Sequence, residues 1–411
     1  MNYKRLKYAC YTTNISMSVV TSLSSLLFVT FRNMYNISYT LLGLLILINF
    51  VTQLSVDLIF SFFSHRFNIE KTVKFTPALT IIGLWIYALW PQIFPNAVYP
   101  GLVIGTVIFS ASAGFCEVLI SPVIASIPSD NPEREMSKLH STYAWGVVFV
   151  VIFSSLFLLL FGRNHWALLT IVLSIIPLCA FLLFSGSKIP DMETPSKVSG
   201  AFAQMKNKTL WLCVIMIFFG GASEVTMAQW SSTFLEQALG LPKIWGDILG
   251  VALFSVMLGM GRTLYSKIGQ KISTVLLFGI VGAAICYLTV AVSNHPIVAL
   301  LACVITGLCV SMLWPGSLIV ATNRIPSGGV FLIAMMAAGG DLGASVAPQL
   351  IGVVTDAALK HPTVLSFAQT LSLSPEQLAL KLGMLVGLFF PLVAIPFYLH
   401  MYRTTKKVQK S

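Results

Sequence analysis

Charge is scarce in this sequence. Asp, Glu, Lys and Arg make up 9% of its 411 residues, against roughly 25% in soluble domains. That shortage excludes an ordinary soluble enzyme, and it excludes disordered, coiled-coil and nucleic-acid-binding chains, which all need charge. No CxxC pair and no histidine partner accompanies the seven cysteines, Cys10, Cys116, Cys179, Cys213, Cys286, Cys303 and Cys309. A disulfide framework and a zinc site are therefore poor readings, and the cysteines read as small apolar packing residues. The absence of a Walker A sequence argues against ATP hydrolysis. HExxH, GxSxG and paired-aspartate metal motifs are missing as well, which argues against a membrane enzyme, and no TVGYG-like channel filter occurs. What remains is apolar: 56% of residues are hydrophobic and the mean hydropathy is +0.86.

A helix needs about 20 apolar residues to span the hydrocarbon core. Apolar runs separated by polar punctuation predict twelve such helices, at 9–31, 39–63, 73–93, 100–126, 141–161, 166–184, 209–231, 246–265, 273–293, 297–321, 328–354 and 381–402. The opening MNYKRLKYACYTT has a basic flank but no small-residue cleavage site, so a retained first helix is expected. An even span count puts both termini on one side. With the N-terminus inside, twenty Lys and Arg fall inside and five outside, namely Arg32, Arg163, Lys243, Lys360 and Lys381. Basic residues collect on the cytoplasmic side, so the net charge of +11 is a topology signal and both termini are expected to be cytoplasmic.

The longest inside loop separates residues 1–184, an expected N-terminal six-helix bundle, from 209–411, an expected C-terminal one, with 185–208 as cytoplasmic linker. The halves repeat: Gly114, Cys116 and Pro122 in span four recur as Gly307, Cys309 and Pro315 in span ten, each 193 residues on. Two parallel six-helix repeats are the architecture of major facilitator transporters. The expected fold is thus an all-α membrane protein of twelve helices in two pseudo-symmetric bundles.

An ionised side chain near the bilayer centre costs roughly 2.5–3.5 kcal/mol even on lenient scales. Four acids are singled out within the spans: Asp57, Glu117, Glu224 and Asp341. No Lys or Arg lies near the middle of a span, so these acids are expected to be protonated, water-exposed or bonded to hydroxyls, amides or backbone. Glu117 sits near the middle of span four, followed by Ser121 and Pro122. Asn49, Gln53 and Asp57 follow i, i+4, i+8 and share one face of span two. Glu224 follows Gly220 and Gly221, a pair that either bends the helix around a polar site or allows close helix packing. Asp341 lies in Gly339-Gly340-Asp341-Leu342-Gly343 of span eleven, with the same two readings. Glu117, Asp57 and Asp341 are proton-coupling candidates. Glu117, Asn49, Gln53, Glu224 and Gln229 are candidates for binding substrate. Tyr143, Trp145, Trp230 and Trp314 could stack on a sugar face or simply pack.

With these residues in view, the chain resembles the major facilitator superfamily. More narrowly it resembles the fucose/galactose:proton symporter group, through AGFCEVLISP of span four, GGASEVTMAQWSSTFLEQALG of span seven and GGDLGASVAPQLIG of span eleven. In that group an acid in span four and another in span one contribute to proton coupling and sugar binding. Glu117 matches the first, whereas Ala9 to Phe31 holds no Asp or Glu. The resemblance implies a secondary transporter, not an enzyme. It would need no cofactor beyond the proton gradient, would take up a small polar solute such as a monosaccharide by alternating access, and would work as a monomer in a bacterial plasma membrane. Sodium coupling, proton-coupled export of drugs or metabolites, and a transport-dead sensor stay open as alternatives.

Overall fold

The computed structural model describes residues 3–63, 67–128, 132–190, 205–268, 271–325 and 329–408. Among them there is no strand. Eleven helices are long and apolar enough to cross a membrane, and a bent pair, Lys4–Leu26 (α1) and Phe28–Tyr35 (α2), makes a twelfth span if taken as one. The twelve stretches match the expected spans one for one, so the chain is a multi-pass membrane protein.

By internal packing the chain forms two compact units. The first comprises Met1–Tyr35 and Ile48–Ser199, the second Asn36–Leu47 and Gly200–Ser411. Helix α3 (Tyr39–Phe63) therefore begins in the second unit and continues in the first.

The first unit further contains α4 (Ile69–Ile93), α5 (Val98–Ser126), α6 (Pro132–Phe161), α7 (Trp166–Leu173) and α8 (Ile175–Ser185). The α1–α2 bend is 44° and needs no proline. Its flank is serine-rich, and Ser25 donates to the Ser22 carbonyl at 3.0 Å, a side-chain bond that competes with the helix ladder. The hydroxyls of α1 are largely spent on packing. Asn14 donates to the Leu139 carbonyl at 2.7 Å and Ser18 to the Tyr143 carbonyl at 2.8 Å, stitching α1 to α6. Cys10 and Cys116 are buried in an apolar cluster with Leu6, Leu119, Ile120 and Phe184, as expected of packing cysteines. Arg5 closes α8 by donating to the Leu182 and Leu183 carbonyls at 2.8 and 3.0 Å, a cation at a helix C-terminus where the dipole favours it.

The second unit is built around α9 (Lys208–Gln237). After it come a π-helical turn at Gly246–Ala252, then α10 (Leu253–Ile268), α11 (Ile272–Val292), α12 (Pro296–Val310), α13 (Leu313–Arg324), α14 (Gly329–Lys360), α15 (Pro362–Thr370) and α16 (Pro375–Val408). The glycines do not break their helices: α9 runs on through Gly220-Gly221 and α14 through Gly339–Gly343. They allow close packing instead. A Cβ on Gly221 would lie 2.6 Å from the Gly340 carbonyl, one on Gly339 2.8 Å from Val214, and one on Gly343 would meet the Phe218 carbonyl. Of the expected loosening at the two repeated prolines, span ten alone breaks, between Val310 and Leu313, while α5 stays helical through Pro122. The side chains of Ser121 and Pro122, and linker residues 191–204, lie outside the described ones.

Candidate functional site

In the first unit, Gly114 brings α5 close to α3: a Cβ there would sit 3.1 Å from the Gln53 carbonyl and 2.9 Å from Val56. One turn further along both helices lie Asp57 and Glu117, and their carboxylate oxygens come within 4.8 Å of each other. The pairing thus follows from two short spacings, Gln53 to Asp57 and Gly114 to Glu117. Asp57 is buried, at 8% exposure, and its Oδ1 has no hydrogen-bond partner among the described residues. Glu117 keeps part of its surface accessible. No described Lys or Arg pairs with either acid. Above them on the same face, Gln53 is buried with its Nε2 unpartnered, and Asn49 accepts a hydrogen bond from Ser110 at 2.5 Å. The i, i+4, i+8 stripe read from the sequence is therefore a continuous buried polar face.

Tyr143 belongs to the same unit and faces α1, its hydroxyl 3.1 Å from that of Thr21. Trp145, two residues on, is 68% exposed.

Asp341 belongs to the second unit and is buried beside the glycine contact of α9 and α14. Glu224 differs from expectation. Sequence reasoning placed no cation within reach of the intramembrane acids, because Arg262 was counted among the cytoplasmic charges at the end of span eight. Arg262 instead turns into the unit and pairs with Glu224, Nη2 to Oε1 3.1 Å. The physical reason is that pairing removes the cost of leaving either charge alone in an apolar surrounding. Gln229 is buried on the same helix. Trp230 is fully buried, donates to the Pro348 carbonyl at 3.1 Å and packs on Tyr39 with ring centroids 5.9 Å apart. Trp314 lies over the helix contact, where a Cβ on Gly221 would meet its ring at 2.9 Å and one on Gly340 would overlap it.

Sequence reasoning passed over Asp247, although it falls at the start of the eighth expected span. It is fully buried in the π-helical turn, takes a hydrogen bond from Ser232 and pairs with Lys243 at 3.1 Å. The i, i+4 spacing of Lys243 and Asp247 was the signal available. Lys381, assigned to an outside loop, is buried and donates to the Ser293 carbonyl.

Twelve spans, a parallel repeat and paired acids in the apolar interior define a polytopic transporter class. The sequence profile of the Major Facilitator Superfamily matches residues 9–348, and the chain belongs to that family. A search of curated protein sequences finds no match. Among solved structures the chain is similar to a bacterial homologue of the human lysosomal transporter Spinster in an inward-facing, occupied conformation. The identity is 14%, 98% of each chain is covered and the TM-score is 0.75. It is similar to the nucleoside transporter NupG at 13% identity, over 97% of this chain and 98% of that one, with TM-score 0.72. It is also similar to the E. coli fucose:proton symporter FucP at 13% identity, over 96% and 99%, with TM-score 0.59. At these identities the likeness is one of fold.

Proposed function

We propose that the chain is a proton-coupled symporter that takes up a small polar solute, a monosaccharide in the first instance, by alternating access. The observation that supports this reading is the Asp57–Glu117 pair. Two carboxylates within 4.8 Å repel when both are ionised, and a proton held between them relieves the repulsion. With no cation at hand among the described residues, a proton is the least costly neutraliser in an apolar interior. The partly accessible Glu117 exchanges that proton, and Asp57 holds its partner charge. Asn49 and Gln53, on the same face, supply the amide groups that recognise sugar hydroxyls. The fucose:proton symporter named among the fold neighbours is consistent with this reading. On it, both termini are cytoplasmic and the protein works as a monomer in a bacterial plasma membrane.

External pH in lightly buffered, de-energised cells, followed while monosaccharides are added one by one, tests the proposal. Alkalinisation on one sugar, abolished by Glu117→Gln, is the expected result. Sugar-driven alkalinisation of unchanged size in Glu117→Gln would remove Glu117 from the coupling, and silence across the panel would remove the sugar.

A further inference from the structure

Pro315 has no N–H, so the carbonyl four residues earlier, that of Ser311, loses its helical donor. The ladder breaks there, α12 ending at Val310 and α13 beginning at Leu313. Arg262 Nε takes over the orphaned carbonyl at 3.1 Å. Its Nη2 reaches Glu224, 3.1 Å from Oε1 and 3.5 Å from Oε2. The guanidinium is thus fixed in orientation by one backbone atom of α12–α13 and one side chain of α9. Its third nitrogen, Nη1, carries two N–H groups that have no acceptor among the described residues. Of the two side chains, 36% of Arg262 and 17% of Glu224 remain accessible. Lipid would not solvate either group, so that surface is expected to face water.

The Glu224 carboxylate contacts one guanidinium nitrogen with both oxygens. It does not form the parallel arrangement of two N–H donors on two oxygens, which is the stronger geometry for a carboxylate. The ion pair is therefore incomplete, with a preoriented nitrogen left over. Lysine would not offer this: the planar fork of arginine sets both donors in one plane. The pair as a whole is neutral, so an approaching cation gains nothing from it, whereas an anion that displaces Glu224 gains the better geometry.

We propose that Arg262 is an anion subsite of the second unit, that it takes the carboxylate of a hydroxylated acid, and that Glu224 is a tethered stand-in for it. This deepens the proposed function and rests on it for the hydroxyl-bearing solute and the proton. The cycle balances in charge. A proton enters with the substrate anion and protonates Glu224, which lets go of Nη2. The substrate carboxylate then binds Nη1 and Nη2. On release the anion leaves first, Glu224 gives up its proton and re-forms the pair. One proton and one monoanion cross together.

The test is uptake by the full-length protein in proteoliposomes with an inward proton gradient, comparing galactose with galacturonate, its acid. Galacturonate is expected to be the better substrate. Arg262→Gln is expected to raise its KM at least tenfold. Arg262→Lys, which keeps the charge and loses the fork, is expected to raise KM several-fold and serves if the glutamine variant does not fold. The exchanged pair, Glu224→Arg with Arg262→Glu, separates a site from a strut: a structural ion pair survives the exchange, and full recovery of galacturonate uptake would overturn the proposal. Uptake of galactose with none of galacturonate would overturn the anion subsite and leave the symport reading standing. Uptake of neither would overturn both.

Discussion

Glycine sets the closest approaches in the second unit, and each has a residue-level consequence. Gly221 faces the backbone carbonyl of Gly340, 2.6 Å from where a Cβ would be, and backbone cannot yield as a flexible side chain can. Gly221→Val is expected to destabilise by about 1–3 kcal/mol, the usual cost of overpacking. A melting temperature in detergent, measured on the purified variant, checks it, and an unchanged value would mean that α9 and α14 can part without loss. Tyr398 behaves differently. Its hydroxyl donates to the Met216 carbonyl at 2.8 Å from a fully buried ring. Removing that oxygen in Tyr398→Phe keeps the packing and is expected to cost about 1 kcal/mol, the net value of one hydrogen bond.

At the scale of elements, the start of α3 is capped twice, by Ser38, whose Oγ accepts the Leu41 N–H at 3.3 Å, and by an acid of α14. The Asp356 carboxylate of α14 accepts the backbone N–H groups of Tyr39 and Thr40, at 3.2 and 2.7 Å, and Tyr39 donates its hydroxyl to Glu376 of α16 at 2.7 Å. An acid at a helix N-terminus satisfies donors that the ladder leaves open and meets the positive end of the helix dipole. Asp356→Ala is expected to lower stability by about 0.5–2 kcal/mol, the range for a lost cap. The readout is the unfolding temperature against that of Glu376→Gln, which keeps an acceptor for Tyr39 and is expected to fall less. A larger fall in Glu376→Gln would shift the weight from the cap to the tyrosine. The π-helical turn at Gly246–Ala252 is a second element-scale feature: Gly250 sits 2.7 Å, at its absent Cβ, from Leu235, so the extra residue of the turn is accommodated against α9.

For the whole molecule, the prediction concerns orientation. On the proposed topology, which rests on the twenty-to-five asymmetry of Lys and Arg, residues 185–208 are expected inside and the segment around Lys360 outside. A cysteine introduced by Lys360→Cys is expected to react with a membrane-impermeant maleimide in intact cells, and one introduced by Lys197→Cys only after permeabilisation. Cys179 is the exposed one among the native thiols and is replaced first. Labelling in the opposite order would invert the topology while leaving the fold as it is.

Hydrophobic patterning determined the number, length and order of the spans, because every helix in a bilayer must be apolar over the same thickness. The even count and the basic loops set the expected topology for the same reason, that charge stays out of hydrocarbon. Local spacing went further at one place: Asn49, Gln53 and Asp57 share a face because the helical period is built into the chain. Tertiary structure decided the rest. Glu117 meets Asp57 only because Gly114 lets two helices more than fifty residues apart in sequence approach closely. Arg262 meets Glu224, 38 residues away, where Pro315 frees a carbonyl to hold it. The glycine pairs, ambiguous between bending and packing, pack because each finds another backbone to face. A hydropathy profile sums over one helix at a time, whereas a buried charge is settled by what the neighbouring helix brings to it.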